Sequence, residues 1–272
     1  MKVEIPNILQ KIIEHKKIEI EQNKKALSID ALKDGKYYNV PCFDMKTALL
    51  EKSKLGIIAE FKHKSPSKHA INLDADVTEV TTGYVQAGVS GLSVLTDNKF
   101  FGGSLDDLVA ARKANKCPIL RKEFIIDEYQ IYESKANGAD VILLIAECLT
   151  KAEITHLAGI AKNIGLQVLC ELHDESQIPK LNDNIDIIGV NNRNLKTFEV
   201  SIENSIRIKR SLPTNKALIS ESGISKPEDI LQLLEHKFDG FLIGELFMKH
   251  NNPGLAAKKL INKVTNTKLI DL

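Results

Sequence analysis

The sequence lacks tryptophan altogether and is poor in aromatic residues, which make up 5% of its 272 positions. It also lacks an excess of charge, since 37 Lys and Arg residues against 36 Asp and Glu leave a formal net charge of +1. No bulk field therefore favours a nucleic acid or an acidic membrane surface as a partner. No apolar run approaches about 18 residues, and the charged N-terminus has no signal-peptide core. These absences predict a soluble, cytoplasmic, globular chain.

Cysteine and histidine are sparse and scattered. The four cysteines, at positions 42, 117, 148 and 170, show no CxxC spacing, which is typical of reduced thiols in an intracellular protein. The seven histidines form no HExxH or similar pattern, so the sequence predicts no metal site. No GxGxxG motif follows a candidate strand, which counts against a dinucleotide-binding sheet.

From residue 57 onward, short apolar runs alternate with helical patterns. Eight candidate strands begin near Ile57, Leu92, Ile119, Val141, Val168, Ile187, Ala217 and Phe241. Helical patterns lie between and after them, over Val77–Ala87, Leu105–Asn115, Glu128–Asn137, Lys151–Ile164, Glu175–Leu181, Ile202–Leu212, Pro227–Leu234 and Leu255–Val264. Gly88, Gly138 and Gly165 stand where helix C-caps are expected. The strict alternation favours an α/β fold with a single (β/α)8 TIM barrel over residues 51–272, rather than a doubly wound open sheet.

Residues 1–50 precede the alternation. Residues 7–34 carry an apolar helical face that begins with Ile8 and Leu9, and a second short helix is predicted from Met45. We expect this N-terminal helical extension to pack on the barrel and to cover one end of it, within one domain overall.

Polar residues collect at the C-terminal ends of the candidate strands, where such barrels carry their chemistry. They are Glu60 and Lys62 on strand one, Lys122 and Glu123 on strand three, Glu171 and His173 on strand five, Asn191, Asn192 and Arg193 on strand six, Glu221 and Ser222 on strand seven, and Gly244 and Glu245 on strand eight. Strand alternation is taken to turn Glu123 and His173 away from the barrel interior. One charged strand end is explained by a structural salt bridge, whereas six around one mouth indicate a polar ligand.

The last two strand ends predict a phosphate site. Ser222-Gly223 and Gly244-Glu245 stand where barrels commonly bind a phosphate through backbone N–H groups. Glycine lets the backbone approach an anion closely. The residues by themselves thus predict a barrel enzyme that acts on a sugar phosphate.

Seven segments of the chain resemble, in order and spacing, the motifs of the indole-3-glycerol-phosphate synthase family: IIAEFKHKSPSK, SVLTDNKFFGGS, ILRKEFIIDEYQIYES, VLCELHDE, IIGVNNRNLKTF, ISESGI and FLIGELFM. The prefix ILQKIIEHKKIEIE is also similar, so the resemblance covers nearly the whole chain. It implies a barrel enzyme of tryptophan biosynthesis that needs no metal or organic cofactor. Two residues of the loop after strand one depart from the family, which usually has Gly at His69 and often Arg at Asn72.

The resemblance implies a carboxy-lyase reaction: ring closure, decarboxylation and dehydration of 1-(2-carboxyphenylamino)-1-deoxyribulose 5-phosphate to indole-3-glycerol phosphate. By this resemblance Lys122 is the general acid, Lys62 a second lysine and Glu171 the base, while Glu60 and Asn191 orient substrate and lysines. Which lysine serves which step stays open. Burial and nearby cations are expected to lower the pKa of Lys122.

The resemblance also implies the binding residues. Phe101 and Phe124, with help from Leu144, would form an apolar slot for the anthranilate ring, although without the family the two phenylalanines read as core residues. Ser65 and Arg193 complete the substrate-binding set, with Arg193 equally readable as a structural partner of a nearby carboxylate. The phosphate would be bound by Ser222, Gly223, Gly244 and Glu245, the last through its backbone N–H.

Two other functions fit the residues. A class I aldolase would use Lys122 or Lys62 as a Schiff-base lysine on the same fold. A non-catalytic sugar-phosphate binder would keep the glycines but lose the acid–base set. In every case the expected partner is a small sugar phosphate, with no nucleic acid and no membrane. The sequence leaves open whether the chain is a monomer and whether it makes transient contacts with other tryptophan-pathway enzymes.

Overall fold

A computed structural model describes residues 7–66, 70–194 and 199–270. Within these residues, parallel strands close into a barrel in chain order, with the last strand paired to the first. The strands are β1 Ile57–Phe61, β2 Gly91–Leu95, β3 Ile119–Lys122, β4 Val141–Ile145, β5 Gln167–Leu172, β6 Ile187–Asn191, β7 Ala217–Glu221 and β8 Gly240–Ile243. The predicted (β/α)8 TIM barrel is confirmed.

Helices precede and connect the strands. Before the barrel come α1 Asn7–Ala26, α2 Ile29–Lys33 and α3 Met45–Leu49. Between and after the strands come α4 Val77–Gln86, α5 Asn98–Phe101, α6 Leu105–Ala114, α7 Glu128–Ala136, α8 Lys151–Asn163, α9 Glu203–Lys209, α10 Pro227–Glu235, α11 Glu245–Met248 and α12 Pro253–Ile270. In the described part of the chain, no helix is long and apolar enough to cross a membrane.

Two features of the helices differ from the prediction. The segment Glu175–Lys180 is a 3₁₀-helix, because Pro179 lies inside it and has no N–H for an α-helical hydrogen bond. The short helices α5 and α11 were not predicted, since four residues give no readable periodicity. The predicted C-cap glycines are confirmed after α4, α7 and α8, where they take φ angles of +90°, +88° and +82°.

The barrel has two apolar layers because side chains alternate along each strand. Leu120, Leu143, Leu169, Ile187 and Ile219 fill the interior. Ile142, Leu144, Val168, Ile188 and Leu218 face the surrounding helices. This alternation decides which strand-end residues reach the interior mouth.

The N-terminal segment lies at both ends of the barrel, not at one. The predicted continuous helix over 7–34 is wrong, because the Ser28 hydroxyl accepts a hydrogen bond from the Ala31 N–H (3.2 Å) and starts α2 as a new helix. Helix α1 contributes to the wall of the C-terminal mouth. At the opposite end, Met45 of α3 is fully buried in the interior layer. The division of the chain into residues 1–50 and 51–272 stays a prediction.

Candidate active site

A cavity of about 380 Å³ opens at the C-terminal mouth of the barrel. The predicted site residues that line it are Glu60, Lys62, Ser65, Phe101, Lys122, Phe124, Glu171, Asn191, Arg193, Ser222, Gly223, Gly244 and Glu245. Ile8, Leu9 and Ile12 of α1 contribute an apolar wall. The structure therefore brings together residues that the sequence spreads over nearly 190 positions.

Leu144 is the exception and a correction. It lies mid-strand in β4 with its side chain fully buried between sheet and helices, so it does not reach the cavity. Its neighbours Leu143 and Ile145 line the cavity instead. Alternation along the strand gives the reason, because adjacent residues face opposite sides.

Lys122 lies between two carboxylates at the centre of the cavity. Its Nζ donates to Glu171 Oε2 at 2.8 Å and to Glu221 Oε2 at 2.7 Å. Burial alone would lower the pKa of Lys122, but the negative charges of Glu171, Glu221 and Glu60 outweigh it and raise the pKa. The expectation of a lowered lysine pKa is therefore wrong for this structure. Lys122 is held as an ammonium.

Glu221 was absent from the predicted site, although it ends β7 at the expected position. Glu221 and Lys122 are 99 residues apart in sequence and meet only across the barrel interior. Gly189 on the neighbouring strand makes room for Glu221, because a side chain at Gly189 would collide with Glu221 Oε1. Among the described residues, that Oε1 atom has no hydrogen-bond partner. The available sequence signal was the acidic residue at the C-terminal end of strand seven.

The two glutamates around Lys122 titrate in opposite directions. Burial would raise the pKa of Glu171, but the charges of Lys122 and His173 and a hydrogen bond from Asn191 lower it to about 2. Burial and the like charge of Glu171 raise the pKa of Glu221 to about 8 despite its contact with Lys122. The two glutamates therefore titrate as an interacting pair, in which Glu171 is the stronger acid and Glu221 the weaker one.

His173 also belongs to this group, contrary to the prediction. Its Nε2 lies 3.4 Å from Glu171 Oε1, and burial lowers the pKa of the ring. Residues two apart on a strand share a side, so alternation places His173 with Glu171 and not away from it. Glu123 is one residue from Lys122, and its carboxylate binds Thr96 and Lys16, although the residue still contributes to the cavity lining.

Glu60 and Lys62 form the predicted pair at the end of β1. Lys62 Nζ donates to Glu60 Oε1 at 2.7 Å, and both side chains line the cavity. The backbone at Gly244 approaches Glu60 closely, since a Cβ at Gly244 would lie 2.6 Å from Glu60 Oε1. The pair is thus a salt bridge that also faces the ligand space.

Phe101 and Phe124 face each other across the cavity wall. Their ring centroids are 5.8 Å apart at an interplanar angle of 40°, and both residues are only half-buried. Phe101 lies on α5, and Phe124 follows β3. Two half-exposed aromatic rings beside a polar cavity are more than core residues, because they leave apolar area open to a ligand.

Asn191 and Arg193 lie at the end of β6. The Asn191 side chain hydrogen-bonds Glu171, and its Oδ1 accepts from the Arg193 N–H at 3.0 Å. Within the described residues, Arg193 forms no ion pair with Glu60 or Glu171, so the structural-partner interpretation has no support. Arg193 remains a lining cation of the cavity.

The β7 and β8 ends form the far side of the cavity. Ser222 and Gly223 take consecutive left-handed conformations, with φ angles of 66° and 76°. Asn192 holds this turn, since its Nδ2 donates to the Ser222 carbonyl at 3.0 Å and to Ser220 Oγ at 2.9 Å. A strained turn fixed by a buried amide presents its backbone N–H groups rigidly. Asn192 and the lining cation Lys249 were missed by the sequence prediction.

The two family departures are only partly visible. His69 lies outside the described residues. Asn72 ends the β1 loop against α11, where its Nδ2 donates to the Met248 carbonyl at 3.3 Å. This contact ties the returning loop to the part of the chain that follows β8.

A closed parallel barrel with an acid–base group of buried charges at its C-terminal mouth defines an enzyme. The comparisons with known proteins agree. A family model described as indole-3-glycerol phosphate synthase matches residues 9–260. The chain belongs to the indole-3-glycerol phosphate synthase family.

Curated relatives carry the same name. The indole-3-glycerol phosphate synthase of Bacteroides thetaiotaomicron is 46% identical over 258 residues, covering 95% of this chain and 99% of the relative. That of Polaromonas naphthalenivorans is 40% identical over 261 residues, covering 94% and 99%. The solved 3-hexulose-6-phosphate synthase of Salmonella typhimurium has a TM-score of 0.61 and 14% identity, covering 77% of this chain and 98% of that one, and shows the fold alone. The activity of this chain is that of its family, a carboxy-lyase of tryptophan biosynthesis with a phosphorylated small-molecule substrate.

Proposed function

We propose that Lys122 is the general acid of ring closure in this cavity. The observation that carries the proposal is the position of its Nζ, 2.8 and 2.7 Å from two buried carboxylates and open to the cavity. The carboxylates keep the lysine protonated, so an ammonium meets the ketone oxygen of the substrate. As the ring carbon attacks the ketone, negative charge grows on that oxygen and the hydrogen bond from Lys122 strengthens.

Proton transfer from Lys122 changes its neighbours. The pKa of Glu171 is low because burial is outweighed by the positive charge of Lys122 and by His173. Once Lys122 has donated its proton, that charge is gone and the pKa of Glu171 rises. Glu171 then becomes a stronger base and can accept the ring proton. Glu221, whose pKa is raised to about 8, can take up a proton near neutral pH and return it to Lys122.

The Glu60–Lys62 pair and Asn191 act on the substrate's polar groups. Lys62 binds the substrate carboxylate or phosphate and donates a proton in the dehydration step, while Glu60 hydrogen-bonds the ribulose hydroxyls. Asn191 orients Glu171, to which its amide is hydrogen-bonded.

The two ends of the cavity suit the two ends of the substrate. The aromatic pair Phe101 and Phe124, with Leu143, takes the anthranilate ring. The backbone around Ser222-Gly223 and Gly244-Glu245 takes the phosphate, with Ser65 and Arg193 on the walls between. Leu144 has no part in this arrangement.

The aldolase alternative is disfavoured by the charge around Lys122. Schiff-base formation needs a neutral amine, whereas the flanking carboxylates raise the pKa of Lys122 and keep it charged. No described feature favours the binder alternative, since the acid–base residues are all present in the cavity. We also propose a cytoplasmic location, as for other biosynthetic enzymes of small metabolites. A monomer with transient contacts to other pathway enzymes stays a prediction.

The test is product analysis with the carboxyphenylamino-deoxyribulose phosphate. We expect one CO₂ released for each indole-3-glycerol phosphate formed, and no lysine adduct after borohydride reduction. A reduced substrate adduct on Lys122 would instead support the aldolase, and substrate binding without CO₂ release would support the binder.

A further inference from the structure

The N-terminal helix carries a lysine that the proposed mechanism does not use. Lys16 of α1 is only 1% exposed, although it is a charged residue on a helix outside the barrel. Its Nζ lies 3.2 Å from Asp97 Oδ2, 3.1 Å from Glu123 Oε1 and 2.9 Å from Glu19 Oε1. Asp97 and Glu123 belong to the barrel loops, while Glu19 is on the same helix. Burying an ammonium is costly unless partners of this kind surround it.

Each barrel carboxylate that Lys16 meets also holds one wall of the aromatic slot. Asp97 caps α5, and its Oδ1 accepts from the backbone N–H of Phe100 at 2.8 Å and of Phe101 at 3.2 Å. Glu123 Oε1 accepts from the backbone N–H of Phe124 at 2.8 Å. The two phenylalanines of the slot are therefore both anchored on carboxylates that share one counter-ion.

The positive charge of Lys16 offsets the cost of burying the carboxylates of Asp97 and Glu123. Asp97 Oδ2 has no hydrogen-bond partner among the described residues, so the nearby ammonium is what compensates its charge. Glu123 has a second cation, Arg121, but its guanidinium lies farther away, 3.7 Å from Glu123 Oε2. Burial would raise the pKa of Glu123, and the charges of Lys16 and Arg121 outweigh it and lower the pKa.

We propose that Lys16 is a positioning residue for recognition of the substrate's aromatic ring, acting through Asp97 and Glu123 on Phe101 and Phe124. This inference rests on the proposed function, because the ring slot is assigned there. Without the Lys16 charge, Asp97 and Glu123 repel each other or take up water, and the loops that carry the two rings move apart. The phosphate end of the cavity, on β7 and β8, is built from other strands and does not depend on Lys16.

The chain offers a matched control on the same helix. Lys24 also ties α1 to the barrel, through a 2.8 Å ion pair between its Nζ and Asp127 Oδ2 at the start of α7. This pair is partly exposed, and Asp127 caps α7 by accepting from the backbone N–H of Tyr129 rather than from that of either slot phenylalanine. Lys24→Met therefore loosens α1 but leaves Asp97 and Glu123 with their counter-ion, whereas Lys16→Met loosens α1 and removes that counter-ion.

The experiment compares a ring-bearing ligand with a ringless one. Inhibition of turnover is measured with indole-3-glycerol phosphate and with glycerol 3-phosphate for the wild type, Lys16→Met, Lys16→Arg and Lys24→Met. Small displacements of a binding wall have large effects. We therefore expect Lys16→Met to raise the inhibition constant of indole-3-glycerol phosphate about tenfold and that of glycerol 3-phosphate by less than about twofold. Lys16→Arg should recover most of the loss, and Lys24→Met should change neither constant.

The proposal would be overturned if Lys16→Met raised the inhibition constants of both ligands equally. It would also be overturned if Lys24→Met, like Lys16→Met, raised only the constant of the ring-bearing ligand. In either case Lys16 would be a purely structural residue. If Lys16→Met does not fold, Asp97→Asn replaces it, since asparagine keeps the cap oxygen but loses the charge that Lys16 meets. An inhibition constant for indole-3-glycerol phosphate that is unchanged in Asp97→Asn would equally overturn the proposal. A wild type that neither turns over nor binds indole-3-glycerol phosphate would instead refute the proposed function, and the ring-slot proposal with it.

Discussion

At the scale of single residues, charge compensation across the barrel interior governs the site. The sequence places Lys122, Glu171 and Glu221 at strand ends, but it does not say which carboxylates touch the lysine. That information depends on the closure of the barrel, which brings together residues 49 and 99 positions apart. The sign of the lysine pKa shift follows from those contacts, and so it could not be predicted from neighbours in sequence.

Replacement of Lys122 tests its role in the transition state. Lys122→Ala removes a proton donor whose interaction grows during ring closure, so we expect kcat to fall by about 10²–10⁴-fold. The Michaelis constant should change only a few-fold, because the ground-state contacts of ring and phosphate remain. Steady-state kinetics measures both, with Lys24→Ala as a surface control that should behave as wild type. Turnover of Lys122→Ala within a few-fold of wild type would contradict the role.

The raised pKa of Glu221 predicts a pH effect on stability. Burial raises this pKa to about 8 in the folded chain, above the ordinary value of 4.5, so the folded state binds the proton more tightly than the unfolded state. Stability from this group is therefore greatest at low pH and is lost as the pH rises from about 4.5 through 8. Glu221→Gln removes the titration.

Urea unfolding at pH 5, 6.5 and 8 measures the effect. The difference in unfolding free energy between Glu221→Gln and wild type should shift in favour of the variant by roughly 1–3 kcal/mol between pH 5 and pH 8. Glu171 has its pKa lowered to about 2, so its contribution is lost only as the pH falls below about 4.5. Parallel pH profiles for the two proteins would mean that Glu221 is already ionised at pH 5.

At the scale of elements, sequence periodicity placed the strands and long helices well, and local chemistry decided the rest. Each predicted strand lies within a residue of its observed start. The break at Ser28, the 3₁₀-helix around Pro179 and the short helix α5 were not predicted as such, because each depends on one cap or one missing N–H and not on a repeated pattern. Leu144 and His173 were each assigned to the wrong face of their strand, although the alternation of side chains along a strand would have placed both correctly.

The turn after β7 gives a prediction about phosphate binding. Gly223 has a φ angle of 76°, and a side chain there would collide with Val200. Gly223→Val should displace the turn and raise the Michaelis constant by at least about tenfold, with a smaller effect on kcat. Kinetics at saturating and limiting substrate separates the two effects.

Gly88 supplies the control for backbone strain alone. It has a φ angle of 90° with nothing within 4 Å of an added Cβ. Gly88→Ala should cost about 1 kcal/mol of stability and leave the Michaelis constant unchanged. If Gly88→Ala raised the Michaelis constant as much as Gly223→Val, the effect at Gly223 would reflect general destabilisation and not phosphate binding.

At the scale of the whole molecule, stability and activity occupy opposite ends of the barrel. The cavity lies at the C-terminal mouth, while Met45 and Leu49 of α3 fill the interior layer from the N-terminal opening. The strand and helix alternation predicted the barrel, and the strand-end charges predicted the active end. The placement of the N-terminal segment at both ends could not be predicted, since short helices before a barrel carry no signal of where they pack.

Truncation of Met45, at the N-terminal opening of the barrel, tests whether stability and activity depend on different ends. Met45 is fully buried, so Met45→Ala leaves a cavity and should lower the unfolding free energy by about 2–4 kcal/mol. Substrate contacts lie at the other end, and kcat and the Michaelis constant at a temperature well below unfolding should stay within about twofold of wild type. Denaturant unfolding and kinetics on the same preparation check both parts. A large loss of kcat in the folded variant would mean that packing around Met45 also determines the geometry of the cavity at the C-terminal mouth.

The central claim is tested most directly by the growth of indole fluorescence during incubation with the carboxyphenylamino-deoxyribulose phosphate. The chain has no tryptophan, so new indole emission stands clear of its five tyrosines. We expect a rise in emission with wild type that is nearly abolished in Lys122→Ala, although the variant still binds the substrate. A rise of equal rate in Lys122→Ala would contradict the acid–base role of the lysine, and no rise in the wild type would contradict the reaction itself.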